Sequence, residues 1–169
     1  MIQFDSYDLS LINIHAARLR AAREAAGSGN KKYSEDLDDW DAHYIGAMGE
    51  YAVGKKLGTK LDKKIYSGRD GRDDGIDTNF RGHAIQIKTF TFTGPNMTFF
   101  MDIEEKIRAE ILIGVQIVKP TRVKIMGWLT AEDFQKKRFK KNYGYGDRHA
   151  VLESALLPIE NLIKTLVLK

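Results

Sequence analysis

The sequence predicts a single α/β or α+β domain. Its 169 residues are enough for one domain with one sizeable core, and 43% apolar and 30% charged residues are typical of globular proteins. Two helical segments come first along the chain, followed mainly by strand segments and then by further helices. No repeat, linker or low-complexity tract interrupts the chain, so we expect residues 1–169 to form one unit.

The first two elements are predicted to be helices. Apolar residues with helical spacing indicate one helix over 8–26 and a second over roughly 37–57. Ser34 or Asp36 is suitably placed to cap the second helix, and Gly58 to end it.

A hairpin is predicted next, after a loop over Tyr66–Gly75. Residues 76–80 and 84–91 have the composition of strands, and Arg81-Gly82 between them is a turn signal. If these two residues form the whole turn, the numbers of paired residues sum to 163. A three-residue turn would shift this register.

Helices and strands are both predicted in the remaining part of the chain, from residue 104 to residue 166. Thr130 is expected to cap a helix whose first turn contains Glu132 and Asp133. The predicted segments are a short helix over 104–110, strands over 111–118 and 122–129, a helix over 131–140, a Gly- and Tyr-rich loop over 142–146, and a helix from Pro158 to Leu166.

Charge and composition limit the classes of function. The net charge of +4 is carried entirely by residues 90–169, and Lys119–Arg148 holds 9 basic against 3 acidic residues. There are no cysteines, and none of the four histidines has a metal-binding spacing, so a bound metal would be held mainly by oxygen atoms. The chain contains no apolar run long enough to span a membrane, and acids stand where a signal peptide has bases. We therefore expect a cytoplasmic protein.

The predicted hairpin brings three polar groups together. If the numbers of paired residues sum to 163, Asp77 lies opposite Gln86. Lys88 lies on the same face as Gln86, because side chains alternate along a strand. Carboxylate and amide oxygens suit Mg²⁺ or Mn²⁺, and a lysine can orient or deprotonate an attacking water. Two simpler interpretations remain open: Gln86 and Lys88 occupy a solvent-exposed face, or Asp77 and Lys88 form a surface ion pair.

The second predicted helix carries a stripe of small residues around one acid. Gly46, Ala47, Gly49 and Gly54 would let the helix lie close to a sheet, and Glu50 borders this stripe. Glu50 either reaches toward the hairpin or is simply a solvated residue on a close-packed helix.

In this order and spacing the motifs resemble the PD-(D/E)xK nuclease superfamily, over roughly residues 40–130. The chain looks most like its Mrr-like branch and is similar to small phage nucleases and Holliday-junction resolvases. The resemblance implies a restriction endonuclease-like α/β fold, a central mixed sheet flanked by helices, and Mg²⁺-dependent DNA hydrolysis to a 5′-phosphate and a 3′-hydroxyl. It also assigns the catalytic residues and metal ligands: Asp77, Gln86, the Ile87 carbonyl and Glu50 for the metal, and Lys88 for the nucleophilic water.

The chain departs from the common pattern at one position. Gln86 stands where most members have Glu, which removes one negative charge from the metal site. Asp74 is a candidate to compensate for it. Two alternatives therefore stay open beside an endonuclease: a Holliday-junction resolvase acting as a homodimer, and a non-catalytic DNA-binding protein of the same fold.

The basic segment 119–169 contains the predicted DNA contacts. Bases are interleaved with aromatic residues beside a glycine loop, which suits phosphate contacts and stacking. The alternative is an ordinary solvated helix end. The candidate residues are Lys136, Lys137, Arg138, Lys140, Lys141, Tyr143, Tyr145 and Arg148. Gln116, inside an apolar strand segment, either faces the site or satisfies a buried backbone group. His43, His83 and His149 have no evident partner and are expected to be structural.

Overall fold

The computed structural model describes residues 1–25, 39–59, 75–91, 98–103, 105–142, 144 and 146–167. No helix in these ranges is both long and apolar enough to cross a membrane. The elements are β1 (Ile2–Gln3), α1 (Ser6–Ala25), α2 (Asp39–Leu57), β2 (Thr78–Phe80), β3 (His83–Phe90), β4 (Thr98–Asp102), β5 (Ile111–Lys119), β6 (Arg122–Thr130), α3 (Ala131–Lys137), β7 (Phe139–Asn142), β8 (Asp147–Leu152) and α4 (Ile159–Val167).

Two sheets organise the domain. The larger sheet has five strands in the order β1-β6-β5-β3-β2, and the smaller has three in the order β4-β8-β7. Within the larger sheet β3 and β5 are parallel, while the other neighbours are antiparallel. The fold is therefore mixed α/β, as the sequence predicts.

The β2–β3 hairpin has the predicted register. Thr78 pairs with Ile85 and Phe80 with His83, so the paired numbers sum to 163. Arg81 and Gly82 have φ angles of 52° and 87°, and positive values at both central residues are the requirement of a type I′ turn. This turn twists with the strands and fixes which residues face each other.

The larger sheet has a separate core on each face. Ile85, Ile87 and Val115 pack against α1, α2 and α4 on one face. Leu112 and Phe90 belong to the opposite core, with residues of α3 and the smaller sheet. Alternation along β3 therefore puts Gln86 and Lys88 on the face that the smaller sheet covers.

Two predictions of secondary structure in the second half of the chain are wrong, the helix over 104–110 and the end of the helix over 131–140. Residues 105–109 have no regular structure, although a helix was expected over 104–110. Thr130 Oγ1 does cap α3 by accepting from the Asp133 amide, but the helix ends at Lys137. The chain then forms β7, because pairing with β8 provides the backbone hydrogen bonds that a longer helix would supply. The Ser34 and Asp36 caps and nearly all of the loop over 66–75 lie outside the described residues.

A buried polar network joins α1 to α2. Asp8 is 4% exposed and accepts hydrogen bonds from Tyr51 Oη and Lys55 Nζ, both at 2.7 Å. Burial raises the pKa of the Asp8 carboxyl, but the bonds from Lys55, Tyr51 and the Asp5 amide outweigh it and hold the pKa below its ordinary value. Burial and Asp8 raise the pKa of Tyr51 to about 12. The network is thus assembled from charged Asp8 and neutral Tyr51.

Replacing Asp8 with Asn is expected to lower the free energy of unfolding at pH 7 by about 1–3 kcal/mol. The ionised Asp8 carboxyl stabilises the fold fully above its unfolded pKa of about 3.9, and that stabilisation is lost as the pH falls through its lower folded pKa. The difference between the variant and the wild type should therefore shrink in acid. Denaturant unfolding at several pH values measures it, with Glu24→Gln in an exposed pair as the control. A pH-independent difference would contradict the ionic role of Asp8.

Candidate active site

The hairpin brings Asp77 to the backbone of β3. The Asp77 amide donates to the Ile85 carbonyl at 2.9 Å, and Asp77 Oδ2 accepts from the Ile87 amide at 2.5 Å. The carboxylate is therefore held against the peptide that joins Gln86 to Ile87. Asp77 therefore lies at the end of the β2–β3 ladder, beside the backbone of Gln86 and Ile87.

Glu105 joins this group from the irregular segment after β4. Glu105 Oε1 accepts from Gln86 Nε2 at 2.7 Å and from Lys88 Nζ at 2.5 Å. Glu105 was not among the predicted site residues, because it lies 17 residues beyond Lys88 in a segment expected to be helical. The Glu110 amide donates to the Ala84 carbonyl at 3.0 Å, which holds the end of this segment beside the start of β3.

The two simpler interpretations of the hairpin are wrong in the structure. Gln86 is only 4% exposed, so it does not occupy a solvent face. The ion-pair partner of Lys88 is Glu105, and the Lys88 side chain is 29% exposed. The Lys88 ammonium is partly buried, and the Glu105 carboxylate offsets the cost of its desolvation.

The Gln86 side chain leaves one atom unsatisfied. Within the described residues, buried Oε1 has no hydrogen-bond partner, while Nε2 donates to Glu105. An unpaired buried carbonyl oxygen costs about 1–3 kcal/mol and is normally explained by a water or an ion. A divalent cation fits here, since such ions take amide and carboxylate oxygens and Asp77 and Glu105 each contact the Gln86–Lys88 stretch. Across the described ranges no three His, Asp or Glu residues form a metal-binding group, so the fit depends on the amide oxygen.

Glu50 is not brought to this group. Its Oε2 lies 2.7 Å from His15 Nε2 on α1, and both side chains are largely buried. Gly49 contacts Thr89, which shares a face of β3 with Ile87, so α2 packs on the face opposite Gln86 and Lys88. The metal-ligand role of Glu50 therefore remains a prediction from the resemblance, as does that of the Ile87 carbonyl.

The smaller sheet lies over the face that carries Gln86 and Lys88. Lys88 pairs in register with Gly114 of β5, and a Cβ atom at Gly114 would be 3.1 Å from the Phe99 ring of β4. Strand β4 pairs with β8, which pairs with β7. The basic β7–β8 hairpin is thus attached to the same side of the central sheet as the candidate site.

The basic residues of this hairpin have different surroundings. All four residues of β7 are exposed, including Lys140 and Lys141. Arg148 is 17% exposed and bonds Asp102 at 2.8 Å, so it anchors β8 to β4. Lys136 pairs with Glu132, Lys137 is exposed, and Arg138 Nη1 donates to His149 Nδ1. Tyr143 and Tyr145 lie outside the described residues.

The remaining polar candidates are also located. Gln116 is buried on the face of Gln86 but pairs with Phe90, near the far end of β3. His83 has a partner after all, since its Nδ1 lies 2.7 Å from Glu110 Oε2. Burial, followed by the charges of Arg138 and Lys140, lowers the pKa of His149, which keeps it a neutral acceptor for Arg138. Asp74 falls outside the described ranges.

Comparison with known proteins adds no relative. The chain matches no protein-family model, no curated protein and no solved structure.

Proposed function

We propose that the protein is a metal-dependent DNA endonuclease that hydrolyses phosphodiester bonds by a PD-(D/E)xK mechanism on a restriction endonuclease-like fold. The observation that carries the proposal is the unsatisfied buried Oε1 of Gln86, in a stretch of β3 where Asp77 accepts from the Ile87 amide and Lys88 is paired with Glu105. The mixed sheet and the hairpin register support the assignment, because the resemblance assumes both.

Each residue has a defined task in this proposal. Asp77 and Gln86 Oε1 hold Mg²⁺ or Mn²⁺, which when bound stabilises negative charge on the phosphate. Lys88 Nζ orients the attacking water by donating a hydrogen bond to its oxygen. Asp77 also accepts from the Ile87 amide, which fixes the carboxylate before substrate arrives.

The basic hairpin is proposed to hold the DNA backbone. The segment from Lys136 to Arg148 contains six basic residues and one acidic residue. The basic residues that lie in β7 are exposed to solvent. A polyanion bound there lies on the same side of the central sheet as Lys88.

The double replacement Lys140→Ala/Lys141→Ala is expected to weaken DNA binding about tenfold and to reduce the slope of log K against log salt by about 1–2, since each lost phosphate contact removes about 0.9. Fluorescence anisotropy with labelled duplex DNA at several salt concentrations measures both. The matched control is Lys56→Ala/Lys164→Ala on α2 and α4, which cover the other face of the sheet. An unchanged salt slope in the hairpin variant would remove this surface from the proposal.

The decisive experiment is incubation of plasmid and branched DNA with the wild type and with Lys88→Ala, in Mg²⁺, Mn²⁺ or EDTA. Metal-dependent cleavage by the wild type that is lost in Lys88→Ala supports the endonuclease. Preferential cutting of branched DNA by a dimeric protein would identify the resolvase.

A non-catalytic DNA-binding protein is the second candidate. One observation favours it: the Lys88 ammonium, which the nuclease mechanism assigns to the attacking water, is already paired with Glu105. Binding of DNA without cleavage under every metal condition would support this candidate and contradict the endonuclease.

A further inference from the structure

Glu105 is the one carboxylate that contacts both Gln86 and Lys88 within the described residues. Its side chain is 24% exposed, so it is neither fully buried nor a free surface group. Nothing in the sequence motif assigns it a task, and its distance along the chain keeps it outside the Gln86-Ile87-Lys88 pattern.

The contact with Glu105 decides how the Gln86 amide is oriented. A carboxylate accepts hydrogen bonds, so it attracts Nε2 and would repel Oε1 at the same 2.7 Å distance. Glu105 therefore fixes Nε2 toward itself and leaves Oε1, the other polar atom of the same amide, buried and unsatisfied. The backbone at Gly75 is close to the same amide, since a Cβ atom there would be 3.6 Å from Nε2.

The charge of the site points to the same residue. With Gln in place of Glu, Asp77 would be the only carboxylate supplied by the hairpin, which leaves little charge for a divalent cation. Glu105 adds a second carboxylate at hydrogen-bond distance from Gln86. Lys88 bonds this carboxylate and keeps it in place while the site is empty of substrate.

We propose that Glu105 is the second carboxylate of the metal site, and that a divalent cation is held by Asp77, Gln86 Oε1 and Glu105. This rests on the proposed nuclease site and changes its composition: the charge absent at Gln86 is supplied from the segment after β4. Lys88 would then exchange its bond to Glu105 for one to the attacking water when the cation binds.

The test measures the binding of Mn²⁺ to the protein in the absence of DNA, by electron paramagnetic resonance or by calorimetry. Glu105→Gln preserves the shape and an oxygen acceptor for Gln86 and Lys88, and it is expected to weaken Mn²⁺ binding at least tenfold. The matched control is Glu153→Gln, which alters a Lys–Glu pair of similar exposure at Lys124 and is expected to bind Mn²⁺ like the wild type. Thermal melting checks that each variant is folded.

A second variant tests the relocation of charge itself. Gln86→Glu added to Glu105→Gln puts one carboxylate back in the site with the two side chains exchanged, and it should recover most of the lost affinity. Unchanged Mn²⁺ binding by Glu105→Gln, or no Mn²⁺ binding by the wild type, would overturn the inference.

The same proteins separate this inference from the proposed function. Mn²⁺ binding that depends on Glu105, with no DNA cleavage by the wild type, would leave the metal site standing and refute the nuclease. Cleavage and Mn²⁺ affinity that both survive Glu105→Gln would keep the nuclease and refute the role of Glu105.

Discussion

Replacing Asp77 with Asn is expected to lower the rate of metal-dependent DNA cleavage by about 100–1,000-fold, the effect of losing one group that stabilises charge in a transition state. Asn retains an oxygen that accepts from the Ile87 amide, so the hairpin should keep its stability. The loss would therefore come from the missing negative charge. Initial rates of plasmid cleavage at saturating and limiting Mg²⁺ measure the effect.

The control for this variant is Asp133→Asn in the first turn of α3, which changes charge by the same amount in an element that has no part in the proposed reaction. It should cleave DNA like the wild type. If Asp77→Asn cleaves as fast as this control, the Asp77 carboxylate has no part in the reaction.

Replacing Gly49 with Ala is expected to lower the free energy of unfolding by about 2–3 kcal/mol. A Cβ atom there would overlap Thr89 Oγ1 and lie 3.1 Å from Thr89 Cβ, and a short β-branched side chain cannot turn all its atoms away. Helix α2 would have to move off β3. Denaturant unfolding measures the change.

Gly46 provides the matched control on the same helix. No described atom lies within 4 Å of a Cβ atom built at Gly46, so Gly46→Ala should stabilise the protein by about 0.5–1 kcal/mol through helix propensity. Thr89→Ala combined with Gly49→Ala should recover part of the loss. Equal effects of the two alanine replacements would show that close packing against β3 is not the cause.

Local chemistry was sufficient to predict the hairpin and most of the helices. The Arg81-Gly82 pair defines its own turn, and the turn then fixes the partner of every residue in β2. The N-cap at Thr130 and the end of α2 at Gly58, whose φ is 69°, likewise depend on residues adjacent in sequence. Such features need no knowledge of distant parts of the chain.

The smaller sheet was missed because its stability depends on distant partners. Lys140 and Lys141 are acceptable helix residues, and only pairing with β8 makes them a strand. The segment 105–110 is likewise joined to β3 by the Glu110 amide and the Glu105 side chain, two contacts that no local sequence pattern predicts. Tertiary contacts override propensity at both places.

The residues of the candidate site differ in the same way: those on one local element could be predicted, and those brought in by distant contacts could not. Asp77, Gln86 and Lys88 were predicted together because one short hairpin contains them. Glu105 was not, because its contacts to Gln86 and Lys88 arise only after β4 has crossed over the sheet. Glu50 shares a helix with Gly49, and helical geometry alone did not reveal that His15 would bind its carboxylate.

The two-residue turn at Arg81-Gly82 has a consequence for changes in chain length. One residue inserted there would move β2 by one position against β3 and turn Asp77 away from Gln86, because the side chains of a strand alternate. An insertion near Gly144 or Gly146, at the tip of the β7–β8 hairpin, would alter only how far that hairpin extends. Length variation in natural or engineered versions of this chain should therefore accumulate at the second turn and be excluded from the first.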